Sequence, residues 1–372
     1  MQWDIFCRVI DNHGDLGVSW RLSADLAARG HTVRLWVDEP AALRWMAPGA
    51  LEQRWPGVEV LDWERSRDAS ALAHLESADV WVECFGCEIA PEFIAFHAIK
   101  VDRGQPGGPQ RPCWINLEYL SAEDYVARCH GLPSPVMHGA AQGWTKHFFY
   151  PGFTPATGGL LREPGLLARA QAFASDEQRT AWLADRGVDY QGELLVSLFC
   201  YEPAMLGGLL QQLDHADRAV HLLVTPGRAQ QAVAALQAQG ARYQTLQITQ
   251  LEPMSQRNFD HLLWLCDLNF VRGEDSLVRA LWAGKPLVWQ IYPQHDDAHH
   301  AKLEAFLQML GASASLRRFH QLWNGFCAPQ MGEGLPLEDL PVWAQDVQAA
   351  RSRLMKMDDL TTRLVQFVAK NR

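Results

Sequence analysis

The sequence predicts an α/β protein built from two doubly wound parallel sheets, and three observations predict it. The chain opens on an apolar run, a turn containing glycine, a helical stretch and a second apolar run, which together make a β-α-β unit. A segment rich in Gly and Pro, 155–164, then interrupts the pattern, and a fresh apolar run starts at Glu193. Deeper in that second half, apolar runs at 268–271 and 287–291 flank one helix with its own start and stop signals.

Taken in order, residues 3–10 read as a buried strand, 11–17 as a turn, 18–29 as a helix stopped by Gly30, and 31–37 as the second strand. Asp38 at the end of that strand invites a dinucleotide-binding reading. The turn lacks G-x-G-x-x-G spacing, however, and sets Asp11 and Asp15 where a pyrophosphate would approach. The alternative is a pair of functional acids at the carboxyl end of a first strand, where open α/β sheets bind ligands. Ordinary turn chemistry accounts for the same residues. Further strands are expected at 58–61, 79–82 and 114–117, with 99–101 a weaker candidate. Cys84 and Cys87 form C-x-x-C with no second pair nearby, which reads as two plain thiols rather than a zinc site. Residues 118–123 follow their strand toward its carboxyl end, and 148–153 is an aromatic run closed by turn residues.

In the second half, 168–186 reads as helical and 193–199 as the first strand of a new sheet. Phe199 and Tyr201 share one side of its carboxyl end, where they suit either a stacked nucleobase or the core. A strand at 219–225, a helix at 229–239 and a strand at 246–249 follow. Phe259, Leu262, Leu263 and Cys266 then mark a helix. Within 272–286, Asp275 or Ser276 suits an N-cap, Leu277, Val278 and Leu281 share a face, and Gly284 and Pro286 end the helix. Its unpaired N–H groups suit a phosphate. Glu274 does not, because like charges repel, so it reads as aimed at a sugar hydroxyl or a cationic acceptor. A capped helix with surface acids would look the same. His295, Asp296, Asp297, His299 and His300 read as a helix start rather than a metal cluster, since Leu303, Phe306, Leu307 and Leu310 continue at helical spacing. Residues 342–369 are largely helical, with Leu360, Leu364 and Phe367 as an apolar stripe.

The totals agree with a globular protein: 372 residues, 48% hydrophobic and 20% charged. A net charge of −10 argues against a direct nucleic-acid binder and leaves room for a basic partner. No apolar run reaches the roughly 20 residues needed to cross a bilayer, so no membrane partner is expected. The first six residues enter a strand without the layout of a signal peptide, and the eight cysteines are scattered. Both point to the cytoplasm. The 15 tryptophans fall mostly inside apolar patterns and are expected in the core.

Two α/β halves, a Pro/Gly hinge and a donor-type helix start suggest a GT-B glycosyltransferase. More closely, the chain resembles the EarP family of protein-arginine rhamnosyltransferases that modify translation elongation factor P. The resemblance is carried by 6–22, 118–123, 148–154, 272–276, 281–286 and 292–294, spread over most of the chain. It implies a GT-B fold with two Rossmann-like domains facing a central cleft. The expected domains are an acceptor-binding one at 1–184, a donor-binding one at 185–356, and a C-terminal helix at 357–372 packing back on the first. It also implies inverting transfer of L-rhamnose from dTDP-β-L-rhamnose to an arginine of elongation factor P, activating that factor for ribosomes stalled at polyproline. No cofactor and no metal are expected. Carried over by position, Asp11, Asp15 and Glu274 are the active-site acids, with Asp15 as base. Phe199, Tyr201 and Phe259 hold the thymine with Gln256, and Arg272, Asp275, Ser276 and Tyr292 contact the rest of the donor. The rival readings are a GT-B transferase or epimerase using another nucleotide sugar, a non-catalytic binder of a basic protein, and a dehydrogenase. A nucleotide panel separates the first from the favoured reading, and binding without product marks the second. The missing glycine fingerprint weighs against the third.

Overall fold

The computed structural model describes residues 1–9, 13–102, 110–293 and 298–372. The chain forms two compact units, Met1–Pro164 joined by Met357–Arg372, and Gly165–Lys356.

Among the described residues the first unit holds seven strands: β1 Gln2–Cys7, β2 Thr32–Val37, β3 Val58–Asp62, β4 Val80–Cys84, β5 Cys113–Leu117, β6 Pro133–Pro135 and β7 Thr145–Phe149. Their order is β3-β2-β1-β4-β5-β7-β6, parallel except for the antiparallel β6–β7 pair. Because successive side chains alternate, each sheet face has its own core. Trp3, Ile5 and Cys7 of β1 pack with Leu16, Trp20, Leu22 and Leu26 of the helix Gly14–Ala28. Phe6 points the other way, into a cluster with Trp36, Trp63, Trp81, Phe93 and Trp114. Asp4 also lies on a buried strand. It is tolerated because Arg34, its register partner on β2, grips both carboxylate oxygens at 2.6 and 2.7 Å while Trp36 Nε1 donates at 2.9 Å.

The C-terminal helix Leu360–Asn371 belongs to this unit. Leu360, Leu364 and Val368 enter the same core as Leu16 and Trp20, each burial contributing roughly 1.5–3 kcal/mol. Asp359 caps the helix by accepting from Thr362 N at 2.9 Å. Its other partner is Arg29, whose Nη2 reaches Asp359 and Asp25 at 2.8 Å each.

The second unit holds β8 Leu194–Leu198, β9 Val220–Val224, β10 Gln247–Gln250, β11 Leu268–Arg272 and β12 Leu287–Gln290. All pair in parallel, in the order β10-β9-β8-β11-β12. The strand order reverses between β8 and β11, as it does between β1 and β4 in the first unit, and such switch points are where these sheets bind ligands. Among the described residues, no helix is long and apolar enough to cross a membrane.

Several expectations need correction. The first unit ends at Pro164 rather than 184. Residues 168–186 are not one helix but two, Leu166–Phe173 and Asp176–Ala184, and Ser175 between them caps the second by accepting from Gln178 N. Phe173, Trp182 and Leu183 share a core with Leu195 of β8, which assigns both helices to the second unit. Residues 99–101 lie in the helix Pro91–Asp102, because Phe93 and its neighbours bury at helical spacing. The first helix starts at Gly14, not residue 18, so Asp15 stands in its first turn, where the dipole favours an acid.

Candidate active site

Asp15 lies at the switch point of the first sheet. Its charge helps to raise the thiols of Cys7 and Cys84, the last residues of β1 and β4, after burial as the main cause; Cys7 is pushed up to about 12. Asp15 is half-buried, and the following Leu16 and Gly17 are buried, which fixes the first turn against the sheet. Asp11 lies outside the described residues, as do His295, Asp296 and Asp297. Cys84 and Cys87 are buried free thiols, and burial pushes both upward, so neither offers a thiolate.

The other expected site residues gather on the second unit at the carboxyl ends of β8, β11 and β12. Phe199 and Tyr201 flank the Arg272 guanidinium, whose carbon lies 4.5 Å from one ring centroid and 4.7 Å from the other. Arg272 Nη1 also donates to Cys200 O at 3.2 Å, and burial lowers the guanidinium's pKa without neutralising it. The row extends outward at both ends. Phe259 meets Phe199 edge-on at 5.6 Å, and Tyr292 meets Tyr201 edge-on at the same distance. Phe259 and Gln256 lie three residues apart on the helix Gln256–Leu265, hence on one face. Its N-cap is Ser255, which accepts from Asn258 N at 3.2 Å. Tyr201 is held from behind, since its N–H donates to Gln290 Oε1 at 2.8 Å at the end of β12.

The helix after β11 runs Gly273–Ala283, three residues earlier than an Asp275 cap and four earlier than a Ser276 cap would give. Gly273 makes this start possible, because its φ of +62° is the left-handed region that a side chain resists. Ser276 is therefore a helical residue, and its hydroxyl bonds back to the Arg272 backbone, accepting from the N–H at 3.1 Å and donating to the carbonyl. Trp289 Nε1 donates to Gly273 O at 3.0 Å and pins the turn to β12. Glu274 and Asp275 stand in the first turn, and Gly284, at φ +70°, ends the helix as expected. Glu274 does not stand alone: Lys302 Nζ, from the helix Ala298–Leu310, donates to Glu274 Oε1 at 2.7 Å. Aromatic faces, a guanidinium and a helix N-terminus in sequence suit an aromatic base joined to an anion.

Three features escaped the sequence reading. Lys302 has no motif of its own. Gln290 looks like the end of a strand. Asp260 and Arg279 form a buried bidentate pair at 2.8 and 2.6 Å, joining the helix that carries Gln256 and Phe259 to the helix that carries Glu274 and Ser276. An arginine beside Leu277, Val278 and Leu281 on an apolar helix was the available signal.

Comparison with known proteins identifies the family and the fold. The family of elongation-factor P (EF-P) rhamnosyltransferases, EarP, matches residues 3–369. A protein-arginine rhamnosyltransferase from Pseudomonas aeruginosa is 45% identical over 99% of this chain and 98% of its own. One from Shewanella oneidensis is 34% identical with the same coverage. The solved structure underlying EarP-mediated arginine glycosylation of EF-P matches at a TM-score of 0.63 and 33% identity, over 100% of this chain and 99% of that one. HepE from Anabaena with UDP and glucose shares the fold at a TM-score of 0.53 and 12% identity, over 100% and 99%. Two parallel α/β units of this order make the fold that of the GT-B glycosyltransferases. The chain belongs to the EarP family of EF-P rhamnosyltransferases.

Proposed function

We propose that this chain is an inverting protein-arginine rhamnosyltransferase that moves L-rhamnose from dTDP-β-L-rhamnose to an arginine of elongation factor P in the cytoplasm. The observation that supports this most is the row Phe259, Phe199, Arg272, Tyr201, Tyr292, whose central Arg272 directly precedes the helix start at Gly273. Thymine stacks on the rings, with Gln256 reading its edge, and the diphosphate lies against Arg272, Ser276 and the backbone N–H groups of the helix start. Asp275 takes the ribose side. Arg272 lies between Phe199 and Tyr201, so the base takes the side of Phe199 toward Phe259.

Arginine is a poor nucleophile, because its guanidinium is protonated below pH ~12 and delocalises its electrons. Carboxylates overcome both obstacles. Asp11 and Glu274 orient the guanidinium by charge-assisted hydrogen bonds and localise its electron pair, and Asp15 accepts a proton as the new bond forms. The nitrogen attacks the anomeric carbon opposite the diphosphate, the C1–O bond breaks toward the phosphate oxygen, and the configuration inverts. Backbone N–H groups and Arg272 stabilise the departing diphosphate, with no metal in the cycle.

The test is the intact mass of elongation factor P after incubation with this protein and dTDP-L-rhamnose in the presence of a chelator. The expected result is one added deoxyhexose, located on arginine. An unchanged mass while the protein binds dTDP refutes the donor sugar or acceptor, and transfer that requires added metal refutes the mechanism.

A further inference from the structure

The first turn of the helix Gly273–Ala283 presents a difficulty of charge. Glu274 and Asp275 are two carboxylates in this first turn, directly after Arg272. A diphosphate approaching these carboxylates is repelled by them, which the partial charge of the helix dipole offsets only in part. The Lys302 ammonium, 2.7 Å from Glu274, brings a cation to this turn and offsets the Glu274 charge. Its side chain is 22% exposed and that of Glu274 18%, so the pair is half-shielded from water at the first turn of the helix.

We propose that Lys302 is a second cationic contact for the donor diphosphate, bridging the distal phosphate and Glu274. This rests on the reading of the helix start as the diphosphate site. An ammonium has three donors and no planar constraint, so it can keep Glu274 and still reach a phosphate oxygen. As the C1–O bond breaks, its electron pair passes to the phosphate and the leaving group gains one negative charge. Lys302 then holds more charge in the transition state than in the bound donor, which is the condition for lowering the barrier. The same bridge aligns the Glu274 carboxylate with the sugar-bearing side of the site.

The experiment compares Lys302→Met, Lys302→Arg, Glu274→Gln and the double variant Glu274→Gln/Lys302→Met, reading turnover at saturating donor, thermal midpoint, and affinity for dTDP and thymidine monophosphate. Lys302→Met should keep its thermal midpoint and lose turnover about 10²-fold, the usual effect of removing one such donor. It should bind dTDP more weakly while thymidine monophosphate, which lacks the distal phosphate, binds as before. Lys302→Arg should stay within ~10-fold of the parent, because the charge is retained. In the Glu274→Gln background, Lys302→Met should still weaken dTDP. If that loss disappears there, Lys302 acts only through Glu274 and the phosphate contact is refuted. Unchanged turnover and dTDP affinity in Lys302→Met refute it as well. A parent protein that fails to bind dTDP instead overturns the underlying site reading, and the two failures are distinguished by the parent alone.

Discussion

Arg279→Met should be among the most damaging single changes in the second unit, although Arg279 lies on the helix body rather than at its ligand-bearing end. Its side chain is 1% exposed and that of Asp260 7%, with both carboxylate oxygens engaged. Removing the guanidinium breaks this buried bidentate pair from one side and takes both of its hydrogen bonds from the carboxylate, a change that costs about 3–5 kcal/mol. For a unit the size of Gly165–Lys356, each kcal/mol moves the melting temperature by about 2–4 °C, so the expected fall is roughly 6–20 °C. The double variant Asp260→Leu/Arg279→Met removes both charges and should recover to within ~1 kcal/mol of the parent. Scanning calorimetry of the three proteins, with dTDP titrated into each, makes the comparison. Nucleotide affinity should fall in the single variant, because Phe259 adjoins Asp260 and its helix is clamped to the helix of Ser276 by this pair. A melting shift below ~3 °C in Arg279→Met, or a double variant as unstable as the single, would refute the argument.

Other changes separate chemistry from binding. Asp15→Asn should abolish transfer while dTDP affinity, measured by calorimetry, stays within a few fold; loss of both would make Asp15 structural. Phe259→Ala should weaken dTDP by ~1–3 kcal/mol, the value of one base stack, and an unchanged Kd would remove Phe259 from the donor site. His320 is a pH-dependent element: fully buried, it accepts from Trp289 N at Nε2 (3.0 Å) and holds its proton at Nδ1 toward Leu316 O (2.9 Å). Burial, the main cause, lowers its pKa from 6.5 to about 4, so its contribution is complete above pH 6.5 and lost as pH falls toward 4. The loss amounts to roughly 3 kcal/mol over that window. The urea midpoint of His320→Gln should therefore depend less on pH between 6.5 and 4, and a slope equal to the parent's would count against the assignment.

The two sheets were legible because buried parallel strands read as apolar runs, and the Gly- and Pro-rich 155–164 marked the change from one to the other. The boundary itself was not, since the amphipathic pattern of Leu166–Phe173 and Asp176–Ala184 does not say which sheet those helices cover. Gly14 and Gly17 disguised a helix start as a turn, for glycine disfavours a helix and is common in turns. The aromatic row was visible as Phe199 and Tyr201 on one strand side, and local spacing could place Gln256 with Phe259. What joins distant segments was invisible. Glu274 and Lys302 lie 28 residues apart, and Asp260 and Arg279 lie 19 apart, with neither spacing set by a local element. The oddity of a carboxylate at a phosphate-type helix start was legible, but its counter-ion was not.

The return of the C-terminal helix to the first unit has a consequence for synthesis. The residues of Gly165–Lys356 emerge from the ribosome as one uninterrupted piece, so that unit can close its core as soon as its own chain is out. The first unit, although translated first, lacks Leu360, Leu364 and Val368 until the last helix is delivered. It must wait with part of the Leu16 and Trp20 surface uncovered through the translation of its neighbour, and a premature stop anywhere before Leu360 leaves that surface permanently bare.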